Sequence, residues 1–245
     1  MRTGGAAALV AAVAAVGLAA GGAPAAPGPS AVTARVTGCV PAGPSYRESG
    51  WRGRRVVALT FDGGPTTQYT GAILARLRRA HVHVTFFLRG QFIDGQRRRL
   101  RQELREGHEL ANHSYSHPHF PSSAELARTN RLIRGATGYT PCLFRAPYGS
   151  VDGALLGRAR HLGMLTIGWD VDSWDSLYDN LSAATIYKRV VRGARPGSII
   201  LMHDGEGAHP GTVQALAPIL RALRRRHLQV VTVSRLLRLR ARHGG

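Results

Sequence analysis

The feature that most constrains this chain is an alternation. Short apolar, β-branched runs recur between segments whose apolar residues repeat every three to four positions, about seven times from Val56 to Val233. The strand-like runs are Val56–Phe61, Val82–Leu88, Glu109–Asn112, Leu143–Ala146, Met164–Val171, Ser198–Met202 and Leu228–Val233. Between them, Tyr69, Ile73 and Leu77 mark one helical face, and Val213, Leu216, Leu220 and Leu223 another, with a kink expected at Pro218. Helices are also expected over Arg97–Glu106 (closed by Gly107), Ser123–Arg134, Val151–Leu162 (ended by Gly163) and around Ile186, Val190 and Val191. A short basic helix capped by Ser234 is expected last. Strand–helix alternation implies an α/β fold with a parallel sheet. At 245 residues, which allows one full domain, it implies a closed or nearly closed barrel of about seven parallel strands. Functional residues of such folds sit at the C-terminal ends of the strands.

Polar clusters fall at those ends. Asp62 follows the first run in Thr60-Phe61-Asp62-Gly63-Gly64-Pro65, and His203 closes Ile199-Ile200-Leu201-Met202-His203. Between them lie Arg145-Ala146-Pro147-Tyr148 and Asp172-Ser173-Trp174-Asp175. His113 and His117 stand four positions apart in His113-Ser114-Tyr115-Ser116-His117-Pro118. On a helical turn that spacing places both rings on one face, where they could share a divalent metal. Two unrelated histidines would give the same spacing.

The two ends read differently. Arg2 precedes an apolar run from Gly4 to Gly22, and Ala23-Pro24-Ala25 offers a small-x-small cleavage site. Residues 1–25 are therefore expected to be a secretory signal peptide, with a retained membrane anchor as the second choice. Residues 26–53, rich in Pro, Gly, Ser and Ala, are expected to be a linker or irregular lead-in, and 54–245 the functional domain. In an exported chain the two cysteines, Cys39 and Cys142, are a candidate disulfide, two free thiols being the other option. With 33 basic against 14 acidic residues, the net charge of +19 attracts polyanions. No nucleic-acid-binding motif accompanies it, and no protein partner is indicated. For an exported protein an anionic cell wall is the natural counterpart.

The ordered set T-F-D-x-G-P, H-S-x-x-H-P, R-x-P-Y-G, an aspartate-rich segment and L-x-H resembles the polysaccharide deacetylases, the NodB-homology group of carbohydrate esterase family four. The resemblance runs from about Val56 to Val233. It implies a distorted (β/α) barrel and metal-assisted removal of acetyl groups from amino sugars or xylan. Carried over by position, it implies that His113 and His117 hold a divalent metal, zinc first and cobalt second. It implies that Asp62 is the general base, that Arg145 pairs with Asp62 and keeps it ionised, and that His203 is the general acid supported by Asp175. The backbone N–H of Tyr148 would help hold the oxyanion, and Leu201 would line the acetyl pocket. Two positions depart from the pattern. The family's third metal ligand is an aspartate after the base, where this chain has Gly63, and metal binding weaker than the family norm is expected. The family's tryptophan after the last aspartate is Ser176 here, with Trp174 as the substitute wall.

The function expected is that of an exported, secreted or wall-associated deacetylase of an acetylated amino-sugar polysaccharide, with peptidoglycan first and chitin-type oligomers second. The alternatives are a catalytically impaired glycan-binding protein on the same fold, suggested by Gly63, and a hydrolase of a small non-sugar amide.

Overall fold

The computed structural model describes Met1, residues 36–177 and residues 181–243. The signal segment expected over 1–25, and residues 26–35 of the lead-in, lie outside the described residues apart from Met1. In chain order the elements are β1 (Val36–Val40), β2 (Tyr46–Arg47), β3 (Val56–Asp62), α1 (Thr70–Ala80), β4 (Thr85–Leu88), α2 (Arg97–Arg105), β5 (Glu109–Asn112), α3 (Ser123–Thr137), β6 (Leu143–Phe144), α4 (Gly153–His161), β7 (Leu165–Ile167), β8 (Val171–Asp172), α5 (Ala183–Gly193), β9 (Ile199–His203), α6 (Pro210–Arg225), β10 (Gln229–Val231), α7 (Val233–Leu236) and β11 (Arg240–His243).

The main sheet runs β2-β7-β6-β5-β4-β3-β9-β8, with β10 alongside the start of β3. Every pairing in it is parallel. This is the expected barrel, left open between β2 and β8. Only Gly168-Trp169-Asp170 separates β7 from β8, although the two strands lie near opposite ends of the path. The backbone thus spans the gap that no ladder among the described residues closes. Met164–Val171, expected as one strand, is for that reason two.

Alternation along β3 builds two cores. Val57, Leu59 and Phe61 face the helices and pack in one cluster with Ile73, Leu74 and Leu77 of α1 and Leu216, Ile219 and Leu223 of α6. Val56 and Ala58 point inward among Phe87, Ala111, Leu143, Leu165 and Ile199. Each large side chain so buried contributes about 1.5–3 kcal/mol. The helix ends are specified locally. The Ser122 hydroxyl accepts the Glu125 N–H at the start of α3, and Gly138 closes it at φ +74°. Helix α6 continues through Pro218.

Three expectations are corrected. Residues 36–47, expected to be irregular, carry two strands: β1 pairs antiparallel with β11 near the C-terminus, and β2 joins the main sheet beside β7. The cap of the last short helix is Thr232, whose hydroxyl accepts the Arg235 N–H, and not Ser234. The basic C-terminal stretch beyond it is strand β11. Cys39 of β1 and Cys142 before β6 are disulfide-bonded, their Cα atoms 5.4 Å apart. The bridge pins the β1–β11 ribbon to the barrel.

Candidate active site

The strands β9, β3, β4, β5 and β6 are consecutive neighbours, and their C-terminal ends form one rim. Asp62, last in β3, stands directly opposite His203, last in β9. One residue beyond β5 comes His113, and one beyond β6 comes Arg145.

Arg145 is fully buried, and its guanidinium is bonded on every side. Nη1 donates to Asp62 Oδ1 and to Thr60 Oγ1, both at 2.7 Å. Nε donates to the Ile167 carbonyl at 3.2 Å and Nη2 to that of Gly168 at 3.0 Å. The group lies over the Phe87 ring, 4.0 Å from its centroid. Burial raises the Asp62 carboxyl above its ordinary value, with Arg145 and then His203 opposing the rise. Arg145 was expected to hold that value down. The pairing is present, but within the protein alone desolvation outweighs it.

The two histidines do not share a helical turn. They lie in a loop that bends through left-handed backbone at Ser114 (φ 63°) and His117 (φ 71°), which brings their Nε2 atoms to 3.2 Å. The loop is tied down by groups that sequence inspection overlooked. Asn112 Oδ1 accepts the Ser114 N–H at 2.8 Å. Glu125, in the first turn of α3, accepts the Tyr115 and Ser116 N–H groups at 3.0 and 2.8 Å. His113 Nδ1 lies 2.9 Å from the Arg145 carbonyl. A carbonyl only accepts, so Nδ1 carries the proton and Nε2 turns its lone pair into the site. Burial lowers both rings to about 3, which keeps them neutral.

A third group completes the cluster. Glu206, in the loop after β9, places Oε2 3.1 Å from His117 Nε2. One ligand atom each from His113, His117 and Glu206 lie within 4.8 Å of one another. Two imidazole nitrogens and a carboxylate oxygen suit zinc and similar divalent ions, so the residues present fit a metal. The nearest sequence signal was weak, a lone carboxylate between Gly205 and Gly207.

On the opposite side, His203 Nδ1 meets Asp175 Oδ1 at 2.7 Å. Asp175 Oδ2 accepts the His203 N–H at 2.9 Å and the Thr212 hydroxyl at 2.6 Å. Burial alone would lower His203. The Asp175 carboxylate outweighs it and lifts the ring to about 9. Leu201, two residues before His203 on the same face, is buried. Two aromatics at the rim are exposed, Tyr148 at 63% and Trp174 at 40%. Tyr148 packs on His117 and His119, and Trp174 lies under Arg189. The sequence-expected residues thus gather at one rim, with the histidine pair on one flank of Asp62 and the His203–Asp175 pair on the other.

The family model for polysaccharide deacetylase matches residues 50–167. A peptidoglycan-N-acetylglucosamine deacetylase of Bacillus cereus is 34% identical over 189 residues, covering 75% of this chain and 89% of the relative. The crystal structure of a peptidoglycan N-acetylglucosamine deacetylase, in complex with a naphthalenyl N-oxidanyl-benzamide, superposes with a TM-score of 0.76 at 32% identity. It covers 79% of this chain and 93% of that one. A CE4 family pseudoenzyme from Bacillus anthracis superposes at 0.73 and 30% identity, covering 80% of this chain and 70% of that one. Similarity of this extent, over nearly the whole length of the Bacillus cereus relative, means that the chain belongs to the polysaccharide deacetylase family.

Proposed function

We propose that the chain is an exported, metal-dependent hydrolase that removes N-acetyl groups from an amino-sugar polymer, with peptidoglycan the first choice of substrate and chitin-type oligomers the second. The observation that carries this is the pairing of opposite proton-transfer groups across one rim. A carboxylate with one free oxygen faces an imidazole held protonated, beside two neutral imidazoles able to bind a metal.

The chemistry a divalent metal supplies at such a site is polarisation of an acyl oxygen and acidification of water. The protein's own residues divide the rest. Asp62 Oδ1 is engaged by Arg145, which leaves Oδ2, 3.8 Å from His113 Nε2, as the atom that accepts the proton of the attacking water. His203 gives Nδ1 to Asp175, so Nε2–H donates to the departing amine. Asp175 keeps the ring charged, and Arg145 fixes the angle of the base. In this reading Leu201 walls the acetyl methyl, Trp174 serves as a wall for the sugar, and the backbone N–H of Tyr148 donates to the developing oxyanion.

Export is supported by the apolar segment after Arg2 and by the Cys39–Cys142 bridge, which persists in oxidising compartments. An anionic wall is supported by a cleft of about 870 Å³ whose lining includes Arg76, Arg79, Arg221 and Arg224. The relatives include a pseudoenzyme, so fold alone does not confer turnover. The test is acetate release by the full chain from purified peptidoglycan and from chitooligosaccharides, with chelator and with zinc or cobalt restored. Metal-restored release is expected. No release from either substrate by the metal-loaded protein would leave a glycan-binding role.

A further inference from the structure

We propose that Glu206 is the third protein ligand of the metal, and that position 63 is glycine because Glu206 occupies the space a side chain there would need. The inference rests on the metal-dependent reading above and changes its coordination. The resemblance to the family places the third carboxylate directly after the base. Here that carboxylate comes from the loop of the neighbouring strand.

Register makes the exchange feasible. Asp62 and His203 are paired partners at the ends of β3 and β9, so the turn starting at Gly63 and the loop Asp204-Gly205-Glu206 leave the sheet side by side. A Cβ at Gly63 would lie 2.7 Å from Glu206 Cγ and 3.0 Å from the Gly205 carbonyl carbon and oxygen. Neither Glu206 nor the Gly205 backbone could keep its place. Gly63 also holds φ +87°, where an L-residue is strained. An aspartate at 63 and the observed Glu206 therefore exclude each other.

The carboxylate is also held ready. Glu206 Oε1 accepts from Arg89 Nη1 at 3.1 Å, which leaves Oε2 turned toward His117. Arg89 Nη2 donates to the Ser116 carbonyl at 2.9 Å, within the loop that carries both histidines. One guanidinium thus orients the carboxylate and braces the imidazole loop, as outer groups of metal sites commonly do. Arg89 is a positioning residue. A chain with only two neutral ligands would have no use for this arrangement.

The test is calorimetric titration of zinc into the full chain after dialysis against chelator, with cobalt absorption spectra as a second readout. The natural protein should bind one equivalent. Glu206→Gln keeps the shape but loses the charge, and should bind at least about 10–100-fold more weakly, with altered cobalt bands. Arg89→Gln should weaken binding by about tenfold. Gly63→Asp should fail to tighten the site, since its side chain meets Glu206 and the Gly205 backbone. Metal-free melting curves, which the conservative Glu206→Gln should leave close to natural, separate ligand loss from unfolding. Unchanged zinc affinity and cobalt spectrum in Glu206→Gln, or tighter binding in Gly63→Asp alone, would overturn the assignment. Acetate release is scored separately. A protein that needs Glu206 for its metal yet releases no acetate refutes the deacetylase function and leaves Glu206 as a ligand.

Discussion

Replacing Asp175 with asparagine should uncouple His203 from its charge. Asp175 Oδ1 holds the His203 ring nitrogen at 2.7 Å, and its Oδ2 accepts two further donors. Against the opposing pull of burial, this carboxylate first and then Asp62 and Glu206 lift His203 from 6.5 to about 9, a net shift worth about 3 kcal/mol in favour of the charged ring. The downward displacement of Asp175 reflects the same contact and is counted once. Because the folded value of His203 lies above the ordinary one, this stabilisation is fully present below about pH 6.5. It is lost as pH rises through about 9. In Asp175→Asn the ring should titrate well below its natural value, since burial remains and the largest opposing charge is gone, leaving Asp62 and Glu206 as the weaker charges that still raise it. A full return to 6.5 would lower its protonated fraction at pH 8 by about 30-fold, which is the upper limit of the effect, and the alkaline limb of kcat should move down accordingly. An amide nitrogen facing the His203 N–H and the Thr212 hydroxyl also leaves a buried donor unmatched, costing a further ~1–3 kcal/mol. NMR titration of the His203 ring measures the first effect directly. If that ring still titrates near 9 in the variant, Asp175 is not what holds its proton.

Other outcomes follow from the same geometry. Asp62→Asn should leave the fold intact and lower turnover by about 10²- to 10⁴-fold, read by acetate release at saturating metal. Arg145→Lys cannot reach Asp62, Thr60, Ile167 and Gly168 together, and should lower the melting temperature and turnover alike, by calorimetry and assay. Reducing the Cys39–Cys142 bridge, which joins residues 103 apart, should cost about 2–4 kcal/mol in a denaturant titration. Glu125→Ala frees the loop N–H groups of Tyr115 and Ser116 and should weaken zinc binding about 10- to 100-fold, measured calorimetrically.

How much of this could be seen in advance depended on range. The strand Glu109–Asn112 and the helix carrying Ile73 and Leu77 are legible because burial imposes its period on consecutive residues. Polar residues that break an apolar run, such as Asp62 and His203, are visible as strand ends for the same reason. The His113–His117 spacing was legible, but its backbone was not. Four residues suit a helical turn, and it takes bonds to Asn112 and, from elsewhere in the fold, to Glu125 and Arg89 to hold the left-handed loop instead. The split of Met164–Val171 escaped because hydropathy does not record that Gly168 to Asp170 carry the chain across an open barrel.

By itself, the sequence determined the parallel α/β class, the order of the polar clusters and the presence of Asp62, His203 and the histidine pair at strand ends. Each of these is written in neighbouring residues or in a motif. Tertiary structure alone decided that β1 pairs with β11, that burial raises Asp62 despite Arg145, and that Glu206 lies against His117. Glu206 is 143 positions from Gly63, and only the β3–β9 register sets the two side by side. Local sequence carries no record of such a register. It is settled when whole strands bury their faces together, and that step turned an apparent gap at Gly63 into room for a carboxylate from the next strand.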